Sequence, residues 1–266
     1  MTASAPVTTL ATRVPILMYH EIAGPAETES RLAVSPANFA AQLGYLRDAG
    51  FTAITAAELS AALAAGGRPL PARPVVLTFD DGYADFHRRA MPLLDQHGFA
   101  ATLFVTTGWE QDADMRQSAP GRMLNRTQLA EAATAGIEIG AHTRSHPQLD
   151  RLPEPLVREE LRTSKRWLGD ATGRPVPGLA YPFGYSSALV RRVAREAGYR
   201  YAHAVDNRTA SSSADPFAVL RLTIRRATTL PEFRRLADGQ PTLRLREDRA
   251  LSRAWSVVRQ VKAACC

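Results

Sequence analysis

Cysteine is almost absent from this chain: there are two, and they are its last two residues, Cys265 and Cys266. Neighbours in sequence rarely bridge each other, and a chain end is a poor place for a structural cross-link. A disulfide framework is therefore excluded, and so is a zinc site built on thiolates. Lysine is nearly missing too, with only Lys165 and Lys262, so the net charge of +7 rests almost wholly on arginine. The arginines are scattered over helix faces, with some clustering after Leu220, and form no basic stripe interleaved with aromatics. That distribution argues against a nucleic-acid partner. No stretch approaches the ~20 apolar residues of a membrane span. The opening MTASAPVTTLATR lacks a charged start followed by an apolar run, and the expectation is a cytoplasmic protein. No repeat of fixed period is present, and nothing in the sequence sets an oligomeric state.

What is there is an ordinary globular composition, 45% hydrophobic and 22% charged over 266 residues. A chain of this length can bury a core that needs no staples. Short apolar runs alternate with helical periodicity almost to the end. Strands are expected at Val14–His20, Phe51–Thr55, Pro74–Asp81, Ala101–Thr107, Ile137–His142, Leu179–Phe183, Tyr199–Val205 and Val219–Ile224. Helices are expected between them, for example Ser35–Gly50, where Ser35 can cap and Pro36 suits the first turn, and Asn125–Ala135, capped by Asn125. Gly108–Met123 reads as a loop. Repeated strand-then-helix units call for a parallel sheet with helices outside, and the length suits one α/β barrel of about 250 residues. That domain is placed at 14–239, with 1–13 a flexible lead-in and 240–266 an Arg-rich tail. Polar residues stand where strands end, at His20, Asp80, Asp81 and His142, the positions at which such barrels carry their chemistry.

Two short segments carry that chemistry. In Thr78–Gly82, TFDDG, two adjacent carboxylates close an apolar strand. Like charges side by side repel, and burial raises the cost, unless something binds them. Where the strand bends into a loop, one carboxylate can reach a metal and the other a bound water, and Gly82 allows the turn. The bland alternative is a solvated Asp-Asp-Gly turn. In His142–Pro147, HTRSHP, two histidines stand four apart. They can converge on one ion if the segment makes a turn of helix that Pro147 then stops; the alternative is a pair of surface histidines. With Asp81 they form a two-His, one-carboxylate set with open positions, which suits catalysis. Of the other histidines, His87, His97 and His203 show no partner pattern and read as surface or packing residues. Asp85 reads as a helix-face charge, with a supporting place behind the site as the alternative, Asp206 as a loop opener or an orienter of a catalytic histidine, and Trp109 and Tyr185 as loop aromatics able to stack on a sugar.

TFDDG, HTRSHP and the later AYPFG (Ala180–Gly184) resemble, in order and separation, the motifs of the polysaccharide deacetylase family, the group with the NodB homology domain. The resemblance runs from about Val14 to about Ala237. It implies a distorted (β/α) barrel and one divalent metal, Zn first, with Co or Ni acceptable. It also implies Asp81, His142 and His146 as ligands, Asp80 as general base, and the Phe183–Gly184–Tyr185 turn as the place of oxyanion and substrate contacts. The substrate would be an N-acetylated carbohydrate: a polysaccharide, an oligosaccharide or a glycoside. Two departures stand out. Ala180 occupies the place of an Arg that usually opens the third motif, and Val219–Ile224, VLRLTI, lacks the usual Leu-x-His. A circularly permuted subset, similar to deacetylases of poly-N-acetylglucosamine, carries that late motif at the front. Pro15–His20, PILMYH, looks like it, which makes His20 the expected general acid. A small cytoplasmic amino-sugar or natural product as substrate, another metal-assisted acyl hydrolysis, and a non-catalytic carbohydrate-binding relic are the competing expectations.

Overall fold

A computed structural model of the chain describes residues 14–64, 67–111, 115–116, 119–205 and 215–240. The expected lead-in at 1–13, Asp206, the tail beyond 240 and both cysteines lie outside these residues. The strands are β1 (Ile16–Tyr19), β2 (Thr52–Ile54), β3 (Pro74–Phe79), β4 (Thr102–Val105), β5 (Glu138–Ala141), β6 (Gly178–Ala180), β7 (Tyr201–Val205) and β8 (Val219–Thr223). Every pairing is parallel, in the order β1-β8-β7-β6-β5-β4-β3-β2. A further pairing of β1 with β3, Ile16↔Val76 through Tyr19↔Phe79, closes seven of them into a ring. Strand β2 is left outside it, paired only with the start of β3. This is the expected barrel, distorted because one strand does not enter the ring.

The helices are α1 (Pro36–Asp48), α2 (Ala56–Leu63), α3 (Met91–His97), α4 (Gly108–Gln111), α5 (Arg126–Thr134), α6 (Glu154–Thr172), α7 (Ala188–Glu196) and α8 (Leu230–Ala237). Their starts follow local chemistry. Ser35 accepts the Asn38 N–H ahead of Pro36, Thr55 with Glu58 and Asn125 with Gln128 each make a reciprocal cap, and Ser187 and Thr229 cap α7 and α8. Two expectations are corrected. The strand expected to reach Phe183 stops at Ala180, because Pro182–Gly184 makes a single tight turn with Phe183 at φ 59°. The segment read as a loop from Gly108 opens with the short helix α4.

Alternation along the strands divides the core. Leu17, Leu77, Leu103, Val105, Ala202 and Leu222 pack with helix residues such as Leu43, Leu161 and Val190. Their neighbours Ile16, Val76, Phe104, Tyr201 and Val219 form a second cluster that fills the barrel. At the end of the barrel where strands begin, the partly buried Glu138 accepts from Tyr201 Oη, from Thr102 Oγ1 (2.8 Å) and from the Ala57 N–H (3.0 Å). The large rings need space opposite. A Cβ on Gly140 would lie 2.4 Å from the Phe104 ring, and one on Gly178 2.3 Å from Tyr201 Oη.

Gly140→Ala and Gly178→Ala are each expected to destabilise the protein by about 1–3 kcal/mol through overpacking. Gly44→Ala, in α1 with nothing within 4 Å of the new Cβ, is expected to stabilise it by about 0.5–1 kcal/mol. Urea unfolding of the three variants checks both signs; a Gly178→Ala protein as stable as the parent would show that the lumen is not tightly filled.

Candidate active site

Strand β3 ends on the buried Phe79, whose ring stacks on Tyr19 at 5.3 Å. One residue further, the Asp80 N–H still donates to Tyr19 O (3.0 Å), so the ladder continues and Asp80 sits beside His20. Asp81 then turns out of the strand with φ 76°, followed by Gly82 at 91°. The left-handed backbone at Asp81 sends two sequence neighbours to one place: His142 Nε2 lies 4.0 Å from Asp80 Oδ2 and 3.5 Å from Asp81 Oδ1.

His142 follows β5, its N–H held by Val105 O (2.9 Å). Its Nδ1 is 2.8 Å from Ala180 O. A carbonyl only accepts, so Nδ1 carries the proton and the Nε2 lone pair faces Asp81. His146 Nε2 is also 3.5 Å from Asp81 Oδ1. No turn of helix brings the two histidines together, contrary to expectation. The connection is a loop with Thr143 at φ 69° and His146 at 59°, closed by the His146 N–H donating to Thr143 Oγ1 (3.0 Å). Glu160 of α6 grips this loop from behind, accepting the N–H groups of Arg144 and Ser145 (both 2.8 Å) and the Ser145 hydroxyl (2.5 Å).

Asp81, His142 and His146 offer three ligand atoms within 4.8 Å of one another. The 3.5 Å separations are close to the about 3.3 Å between ligands of a tetrahedral ion bonded at about 2.05 Å. Asp81 Oδ1 is buried with no hydrogen-bond partner among the described residues. Burial, and then the Asp80 charge, push the Asp81 carboxyl up to about 8. Burial likewise lowers His142 to about 4 and His146 to about 3, so both imidazoles are neutral and each keeps one unprotonated ring nitrogen. An orphaned carboxylate oxygen facing two neutral imidazoles is a donor set that fits one divalent cation.

Asp80 is treated differently. Arg221 of β8, fully buried, holds both its oxygens, Nη1 to Oδ1 at 2.6 Å and Nη2 to Oδ2 at 2.7 Å. Burial raises the Asp80 carboxyl, but Arg221 and then His142 and His20 outweigh it and hold it well below the usual carboxylate range. Sequence reading passed over Arg221. The signal was present, an arginine at a lumen position of an apolar strand, where an unpaired charge is untenable. His20 is half-buried; burial lowers it to about 4 against the pull of Asp80, and its Nδ1 has no partner among the described residues.

The other candidates separate. In the Pro182–Gly184 turn, Gly184 and Tyr185 donate their N–H groups to Tyr181 O (2.9 Å) and Pro182 O (3.3 Å), so both amides expected to contact substrate are engaged within the turn. The Phe183 ring is 53% exposed, 4.8 Å from the His146 ring and stacked on Tyr185. Trp109 is buried and stacks on His146 at 5.3 Å, so it braces that imidazole rather than presenting a sugar surface. Asp85 is no helix-face charge: it is buried and accepts the Ile22 N–H. His87 pairs with Glu131 and His97 with Leu93 O, while His203 is buried between Phe104 and Tyr201.

The sequence profile of the polysaccharide deacetylase family matches residues 67–202. The YxkH protein of Bacillus subtilis is 28% identical over 212 residues, which cover 80% of this chain and 71% of that one. The poly-beta-1,6-N-acetyl-D-glucosamine N-deacetylase of Escherichia coli is 28% identical over 135 residues, 48% of this chain and 20% of the enzyme, so the match spans a fifth of that protein. Among solved structures, the Streptococcus pyogenes deacetylase PplD in complex with acetate superposes with a TM-score of 0.76 at 27% identity, over 87% of this chain and all of that one.

Without a cation, the folded protein keeps the Asp81 proton up to about pH 8, against 3.8 for a free side chain. Asp81 therefore contributes most stability below its unfolded value and loses it as the pH rises toward 8. Urea unfolding of the metal-free protein should show Asp81→Asn gaining on the parent between about pH 5 and about pH 8, and added Zn²⁺ should remove that gain. A difference that does not change with pH would mean that the carboxyl is ionised throughout.

Proposed function

Since the chain belongs to the polysaccharide deacetylase family, we propose that it is a metal-dependent hydrolase that removes the N-acetyl group of an N-acetylated sugar, leaving acetate and a free amine. The observation that carries this reading is the pairing of an ion-ready Asp81–His142–His146 cluster with a separately neutralised carboxylate, Asp80, beside it. A cation site that served binding alone would have no use for a second, permanently ionised carboxylate. The ligands would be Asp81, His142 and His146. Their nitrogen and oxygen donors suit Zn²⁺ first and accept Co²⁺ or Ni²⁺. Such an ion supplies a Lewis acid that polarises the acetyl carbonyl and acidifies water.

The chain's own residues divide the remaining work. Asp80 is ionised at neutral pH, and each oxygen keeps a lone pair beyond the one that Arg221 occupies, so it can take the proton of the attacking water. The Phe183 N–H would face the oxygen on which negative charge develops. An amine leaves only once protonated, and His20, beside Asp80, would deliver that proton. Burial keeps the resting imidazole neutral, so it must gain its proton during the reaction, and the one released by the water is available. The balance is simple: as the carbon–nitrogen bond breaks, water gives its hydroxyl to the acetyl carbon and its other hydrogen to the nitrogen, and the acetic acid then releases a proton to become acetate. The exposed Phe183 ring with Tyr185 offers a face for a sugar ring. The E. coli relative is named for poly-beta-1,6-N-acetyl-D-glucosamine, which makes β-linked N-acetylglucosamine oligomers the first substrates to try.

Metal content by mass spectrometry, together with acetate release from such oligomers, tests the assignment. His142→Ala should lose both the metal and the activity. Asp80→Asn should keep the metal and lose on the order of 10²–10⁴ in rate, the span of a general base. Metal lost from Asp80→Asn would make Asp80 a ligand instead; no acetate from any acetylated sugar by the metal-loaded protein would end the reading.

A further inference from the structure

The segment after TFDDG reaches back to the strand end that carries His20, in a way that neither the motif nor the mechanism uses. Asp85 Oδ2 accepts the Ile22 N–H at 2.6 Å. Arg89 Nη1 donates to Ile22 O at 2.9 Å. Both polar groups of one residue's backbone are thus held by two side chains four apart on the segment that begins at Asp80. Arg89 also pairs with both oxygens of Glu27, Nη1 at 2.9 Å and Nη2 closer still, and Glu27 in turn accepts the Gly24 N–H at 2.8 Å. Asp85 and the Ile22 side chain are buried, and Arg89 is partly exposed. On the other side of His20, Tyr19 O accepts the Asp80 N–H at 3.0 Å, and Tyr19 Oη donates to Gln42 Oε1 at 2.8 Å.

His20 is therefore suspended between two anchors, at Tyr19 and at Ile22, and both are held by residues of the stretch Asp80–Arg89. The base, one metal ligand and the acid take their relative positions from ten consecutive residues. A loop that leaves a strand end would otherwise drift, and proton transfer is sensitive to displacements on the order of 1 Å.

We infer that Asp85 and Arg89 are positioning residues that clamp the Ile22 peptide and so fix the His20 imidazole against Asp80. This rests on the reading of His20 as the acid that protonates the leaving amine. A plain structural role, satisfying a buried N–H, would predict something different, and the leaving group tells the two apart. An amine needs a proton to depart. A phenolate, as from an aryl acetate, departs without one. Misplacing the acid therefore slows amide hydrolysis and spares the ester, whereas general loosening of the site slows both.

The test uses the metal-loaded full chain and the ratio of kcat on an N-acetylglucosamine oligomer to kcat on 4-nitrophenyl acetate. Arg89→Ala and Asp85→Ala are expected to lower that ratio on the order of 10–100-fold, with metal content and circular dichroism unchanged. His20→Ala sets the lower limit of the ratio. Asp85→Asn, which keeps an acceptor oxygen for the Ile22 N–H, is expected to recover most of it. Arg89→Ala, at a partly exposed site, keeps the test open if Asp85→Ala does not fold. A ratio unchanged in Arg89→Ala and Asp85→Asn alike, with Asp85→Ala either unfolded or also unchanged, overturns the clamp. So does an equal loss on both substrates. If His20→Ala itself leaves the ratio untouched, the assignment of His20 as the acid fails and takes the clamp with it. A wild-type protein that hydrolyses the ester and no acetamide fails the functional reading instead.

Discussion

The ion pair between Asp80 and Arg221 is the interaction on which the rest of the site depends. Two neighbouring carboxylates at the end of a buried strand cannot both be left to repel, and desolvating them is costly. Arg221 crosses the barrel from β8 and satisfies both oxygens of one of them, itself fully buried. The other, Asp81, keeps an oxygen with no hydrogen-bond partner among the described residues, facing the Nε2 atoms of two neutral imidazoles. One guanidinium thus gives adjacent, chemically identical residues opposite characters. Arg221 holds Asp80 ionised well below the usual carboxylate range, while burial and the Asp80 charge push the Asp81 carboxyl up to about 8. Removing either partner of such a buried pair costs about 3–5 kcal/mol, because the survivor is stranded.

The backbone around the pair is held in conformations that L-residues avoid. Among the described residues, the non-glycine positions with positive φ are Asp81, Thr143, His146 and Phe183, and all four stand at the mouth of the barrel. Each costs on the order of 1–3 kcal/mol and persists only where its surroundings leave it no alternative. Those surroundings are visible: Glu160 gathers three donors of the loop between the histidines, Thr143 closes it, and a Cβ on Gly184 would lie 2.6 Å from Val205 N. The distortion at each point aims a polar group that a regular strand or helix would have turned elsewhere.

Much of this was legible in the sequence, and for identifiable reasons. Alternating strands and helices implied the barrel because period and caps are local properties; Ser35, Asn125 and Pro36 do in the structure what their types predict. TFDDG and HTRSHP stood out because their residues are costly to place side by side without a purpose. What escaped was non-local. The helical turn expected between His142 and His146 was wrong because spacing shows that two side chains can meet but not how the chain bends to let them. Asp85 looked like a surface charge because its partner, the Ile22 N–H, lies 63 residues away. Arg221 was noticed only as a departure from the expected Leu-x-His, since its partner Asp80 is 141 residues distant. Both His20 and Arg221 also lie outside the stretch that the family profile matches.

That last separation bears on how the molecule comes into being. The carboxylates of β3 leave the ribosome about 140 residues before the guanidinium that neutralises one of them. Until β8 arrives, a partly made barrel would have to bury Asp80 without its counter-charge, so the ring gains little by closing early. Closure of the barrel and completion of the charge pair would then coincide, set by β8, the last strand among the described residues. A nascent or clipped chain that ends before Arg221 would accordingly lack both the counter-charge of Asp80 and the strand that pairs with β1.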